Sequence, residues 1–152
     1  MKNWFSPLLL VVSLAAFTSC ASTSEIITTG LRIELMQIER SSDGTIQATW
    51  RVKNPNIVPY LIDRSTHKVT LDGVLVGTIT DSARLGIAAQ SQVERTSVLK
   101  PANAQVADRL VQLAAKGSAS YQLSSAIVLL LYDDETSKST LTGSGSVAIR
   151  AK

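Results

Sequence analysis

The chain has 152 residues, 45% hydrophobic and 18% charged, and its net charge of +3 is spread without any basic run. That composition excludes a disordered polymer, gives no footing to a nucleic-acid partner, and, with a single cysteine, excludes a disulfide framework. Residues 20–152 suffice for one domain that buries about two-thirds of its unfolded surface.

The first predicted element is an export signal over residues 1–19. Lys2 precedes the apolar run from Leu8 to Phe17, an h-region of about ten residues, well short of the roughly 20 that span a bilayer. Small residues Thr18 and Ser19 then lead to Cys20. This arrangement resembles the lipobox of bacterial lipoproteins, with Phe17 where leucine is usual. The resemblance implies diacylglycerol on the Cys20 thiol, cleavage before Cys20 and acylation of the new amine. Ala21, rather than aspartate, implies the outer membrane, facing the periplasm. Each buried CH₂ contributes about 0.8 kcal/mol and a stable anchor takes two chains, so a multiply acylated Cys20 would hold the protein to the membrane. The alternative is an ordinary cleaved signal with an incidental cysteine. The polar stretch to Gly30 reads as a tether (residues 20–30), and residues 31–152 as the folded domain.

From Leu31 the period is two. Leu31, Ile33, Leu35 and Gln37 alternate with Arg32, Glu34 and Met36; after a turn at 41–44, Ile46, Ala48, Trp50 and Val52 alternate with Gln47, Thr49, Arg51 and Lys53. This pattern predicts a hairpin of half-buried antiparallel strands. Asn54-Pro55-Asn56 ends the second strand, because Pro55 lacks an amide hydrogen and Asn56 tolerates positive φ. Extended segments around Pro59–Ile62 and Lys68–Leu71 follow, then the Asp72-Gly73 turn and Val74–Ile79, a strong hairpin signal. A further strand at Gln92–Leu99 closes at Pro101.

A helix over about 103–116 places Val106, Leu110, Leu113 and Ala114 on one face, with Asn103 as N-cap and Gly117 as C-terminal stop. Strands at Ser120–Tyr132 and Leu141–Arg150 complete the chain. About seven strands with one added α-helix predict an all-β, immunoglobulin-like β-sandwich. Ala126–Leu131 is apolar throughout, so its outer face is expected to be covered by the helix or neighbouring side chains, or else to form a partner patch.

Val52-Lys53-Asn54-Pro55-Asn56, Tyr60, Val69–Gly77 and Leu85–Ser91 together resemble the type 2 late-embryogenesis-abundant domain, also called the water-stress and hypersensitive-response domain. The resemblance covers about residues 31–150. It implies a fibronectin-III-like sandwich with an added helix, no catalytic residues and no cofactor, and a role in tolerance of desiccation or related stress.

The remaining chemistry is sparse. His67, the one histidine, lies in a polar stretch and is expected at the surface or in a hairpin, without the partners that catalysis or zinc requires. Asp133-Asp134-Glu135 lacks the spacing of a calcium loop and reads as a solvated turn. Gly143-Ser144-Gly145-Ser146 lacks the lysine of a phosphate loop and reads as a bulge or close approach in the last strand. The expected protein is therefore a non-enzymatic envelope lipoprotein. It would meet the membrane through lipid on Cys20, with protein or lipid clients, or alternatively serve assembly or scaffolding by offering a sandwich edge or apolar patch to a partner.

Overall fold

Alternating apolar residues produce strands wherever they were expected, and the strands are longer than the sequence suggests. The computed structural model describes residues 30–131 and 134–152; the signal, Cys20 and the tether before Gly30 lie outside them. The strands are β1 (Arg32–Arg40), β2 (Ile46–Asn54), β3 (Tyr60–Leu71), β4 (Val74–Asp81), β5 (Leu85–Ile87), β6 (Ser91–Pro101), β7 (Ser118–Leu130) and β8 (Thr136–Ala151), with one helix, α1 (Val106–Lys116).

These strands do not form a sandwich. Seven of them close into a barrel in the order β4-β6-β2-β1-β8-β7-β3 and back to β4, with β5 added against the start of β3. A ring with an odd number of strands cannot alternate direction throughout, so one neighbouring pair must run parallel. That pair is β1 and β8, matched from Gln37–Ala148 to Arg40–Ala151. The edges that would separate two sheets are thus hydrogen-bonded to each other, β4 bridging β3 and β6. The sandwich expectation fails because sandwich and barrel both bury alternate residues of each strand. They differ in edge pairing, which is a property of the backbone and leaves no side-chain pattern.

Besides a bulge at Val76 in β4, two bulges re-phase the alternation of β1 and β3. Met36 is the extra residue in β1, so the inward face passes from Leu35 to Ile38, and Gln37 turns out to bond Glu39. Asp63 is the extra residue between Ile62 and Arg64 in β3; beyond it Ser65, His67, Val69 and Leu71 all point inward. Apart from Ser65 and His67 and the buried Asn54, Ser125 and Ser139, the interior is apolar, built on Trp50, Ile38, Ile79, Leu99, Leu123 and Ile127.

The ends of the barrel differ. One end carries the 41–45 turn, the Asp72-Gly73 turn (φ 45° and 76°) and α1. Val106, Leu110 and Leu113 of the helix are buried, and the Gly117 amide closes its last turn onto Ala114 and Leu113 carbonyls. The helix begins later than expected, because the Asn103 side chain accepts from the Gln105 amide (3.1 Å) in a turn before the helix. Gln105 is the N-cap residue, without a side-chain cap bond. Since α1 sits at this end, against β8 and β7, it does not cover Ala126–Leu131, which ends β7 at the other mouth. There Ile127 and Leu129 point inward while Ala126, Val128 and Leu130 face outward.

The close approach expected in the last strand is found at Gly143. A Cβ there would collide with the Ile33 backbone carbonyl across the barrel wall. Gly143→Ala should therefore destabilise by about 2 kcal/mol through forced separation of β1 and β8. Gly86→Ala, with nothing near its Cβ position, should leave the urea midpoint nearly unchanged. Equal midpoints for the two variants would refute the close-packing account.

Candidate functional site

Two polar assemblies stand out, one inside the barrel and one at its open mouth. The interior one is centred on His67, which lies in the β3–β4 hairpin, one of the two expected places, with its side chain fully buried and not at the surface. Its ring lies 4.4 Å from that of Trp50 at 49°. Nδ1 is 2.8 Å from Ser125 Oγ, and Nε2 is 2.9 Å from Ser65 Oγ. His67 and Ser125 are direct cross-strand neighbours on β3 and β7. Whichever nitrogen carries the proton, one serine donates and the other accepts, so the neutral imidazole is fully satisfied. Burial pushes the His67 pKa down to about 4, against a smaller upward pull from Asp81.

A serine beside a histidine invites comparison with a hydrolytic pair. In such a pair an acid orients the base from its far side, whereas here that place is held by Ser65. All three side chains are enclosed, His67 and Ser125 at zero exposure and Ser65 at 4%, so no substrate atom reaches the pair in this fold. Among the described residues, no group of three or more His, Cys, Asp or Glu is placed to hold a metal ion.

The second assembly is the Asn54-Pro55-Asn56 turn. Asn54 is the last inward position of β2 and is 1% exposed. Its Nδ2 donates to the carbonyls of Val58 (2.8 Å) and Ala88 (2.9 Å). Its Oδ1 accepts from the Asn56 backbone amide (3.0 Å) and from Asn56 Nδ2 (3.1 Å). One buried amide thereby closes the loop on itself and ties it to the segment before β6. Gln90, in positive φ, donates its amide to the Asn56 carbonyl and completes the tie.

The other sequence-marked residues lie apart from this turn. Asp72 and Gly73 sit at the opposite end, where Asp72 Oδ1 accepts from the Ser120 amide and hydroxyl (3.0 and 2.8 Å), bonds that hold its carboxyl below the usual range. Asp134 and Glu135 are exposed in the β7–β8 turn, closed by Leu131 N–H to the Glu135 carbonyl at 2.7 Å; Asp133 lies outside the described residues. A further interaction at the mouth is not legible in the sequence. Arg95 on β6 reaches Asp81 Oδ2 and the Ala83 carbonyl (both 2.9 Å), bridging the mouth where β4 and β6 no longer pair. Its only sequence signal was an arginine within an alternating strand.

No family model matches the chain, and no curated protein matches it in sequence. Among solved structures, it is similar to a protein from Archaeoglobus fulgidus (13% identity, TM-score 0.42, covering 78% of this chain and 94% of that one). It is also similar to an Arabidopsis thaliana protein solved in solution (14%, TM-score 0.46, 78% of each chain). A third is described as a candidate late-embryogenesis-abundant protein (11%, TM-score 0.38, 79% of this chain and 71% of that one). Each is a distant likeness.

Proposed function

We propose that this chain is a non-enzymatic, lipid-anchored envelope protein of the desiccation- and stress-protective type, held through Cys20 and facing the periplasm from the outer membrane. The observation that carries this reading is the apolar run ending at Cys20, followed by a short polar tether into a barrel that bears the Asn54-Pro55-Asn56 turn. The sealed His67 cluster supports a non-catalytic role, since its one base is spent on internal hydrogen bonds. Closure of the ring shortens, without removing, the free edges that strand-addition to a partner uses, since β4 pairs with β6 only from Gly77–Pro101 to Ile79–Leu99.

Cys20→Ala should abolish incorporation of labelled palmitate and lower survival after drying towards that of a gene deletion. A deletion strain that survives drying as well as its parent, with an intact envelope, would rule out the protective role. Palmitate labelling that persists in Cys20→Ala would rule out the anchor.

A further inference from the structure

The open mouth of the barrel exposes apolar side chains on a stiffened support. Ile57 is 82% exposed, Val58 and Leu131 are also exposed, and Pro59, Tyr60, Leu61, Leu130 and Leu131 line one shallow recess beside them. Ordinarily a solvent-facing loop is polar and mobile. Here the Asn54 amide grips the Val58 carbonyl from below, so the loop is held with Ile57 and Val58 turned outward. A preorganised apolar projection of this kind marks a contact surface.

The course of the chain selects the occupant. Gly30 lies against the Asn56 side chain, 3.2 Å from a Cβ position to Oδ1, so the chain leads to the tether at this mouth rather than at the helix-bearing end. From Cys20 to Gly30 the backbone reaches at most about 35 Å. An acylated Cys20 would therefore keep Ile57 and Val58 facing a bilayer at high effective concentration. Arg32 borders the same mouth and suits anionic headgroups, whereas Lys53 beside it is paired with Glu34 at 2.7 Å, and the exposed Asp134 and Glu135 follow Leu131 in the β7–β8 turn.

We propose that the loop bearing Ile57 and Val58, with Leu131 beside it, inserts into the lipid surface, so that the barrel stands mouth-down on the membrane with α1 pointing away. The proposal rests on the anchored reading, and the two are separable by experiment. The full-length protein, purified from membranes, is reconstituted into phosphatidylethanolamine–phosphatidylglycerol vesicles containing lipids brominated in the upper acyl chain. Emission is compared for Ile57→Trp and for Val74→Trp, an exposed position at the opposite end; the parent signal, from buried Trp50 and from Trp4 where residues 1–19 are retained, is subtracted. Seating at the headgroup–acyl boundary, about 5–10 Å deep, should quench Ile57→Trp several-fold more than Val74→Trp. Equal quenching, no quenching, or an unquenched Ile57→Trp in a cross-linkable dimer would overturn the proposal, the last assigning the mouth to a second copy of the chain. Intact mass reports the anchor independently: an unacylated protein whose Ile57→Trp is still quenched leaves the tip standing and removes the anchor.

Discussion

Asn54→Asp should destabilise the barrel by about 4 kcal/mol at neutral pH, near 2 kcal/mol for each carbonyl that loses its donor. The exchange is almost isosteric, so packing does not change. What changes is that an acceptor replaces the amide nitrogen facing the Val58 and Ala88 carbonyls, at 2.8 and 2.9 Å. Oxygen then faces oxygen in a site 1% exposed, where a carboxylate is also poorly solvated. Whole domains are stable by only about 5–15 kcal/mol, so much of the margin would go. Urea unfolding at pH 7 gives the value. A midpoint within error of the parent would mean that the motif's hydrogen bonds are not what holds the mouth together.

The second large effect is a pH dependence set by His67. The unfolded chain takes up a proton near the ordinary 6.5, whereas the folded imidazole resists protonation down to about 4. Within that window the unfolded state binds more protons, so stability falls as pH falls. The contribution is complete above about 6.5 and is lost progressively toward 4. At 1.36 kcal/mol per pK unit, the loss amounts to about 3 kcal/mol. His67→Gln supplies a donor and an acceptor to Ser65 and Ser125 without a titrating ring. Its stability profile should lack this slope while keeping the contributions of Glu39, Asp43 and Asp72, whose lowered carboxyls act at more acid pH in both proteins. Parallel profiles for parent and variant between pH 4 and 7 would show that the imidazole titrates as it does in water.

The sequence displayed the strands more clearly than their closure. Period-two patterning located β1, β2, β4, β6, β7 and β8 because every strand of either architecture hides one face. What it could not display was which strand edges meet. The burial of His67 was within reach: it shares parity with Val69 and Leu71, and Ser125 shares parity with Leu123 and Ile127. Reading the alternation back through the polar letters would have placed both inside. Polarity at His67 instead suggested a break in β3, and the Asp63 bulge removed any phase relation to Ile62. The apolar run Ala126–Leu131 is plain in the sequence, but its location depends on the helix lying at the other end of the ring, which no local pattern specifies. Asn54 reads as a turn residue, but its support of an apolar loop is not legible, because one of its partners, Ala88, comes from 34 residues away.

The parallel seam has a consequence for how the protein is made. First and last strands are neighbours, and their registered contacts run to Arg40 and Ala151, with the Lys152 amide bonded to the Arg40 carbonyl at 3.0 Å. During synthesis or export β8 is delivered last of the described strands, so the wall stays open until it has emerged. Arrival of β8 and closure of the wall are then a single event. A nascent or truncated product would show its unsealed seam to proteases and quality control.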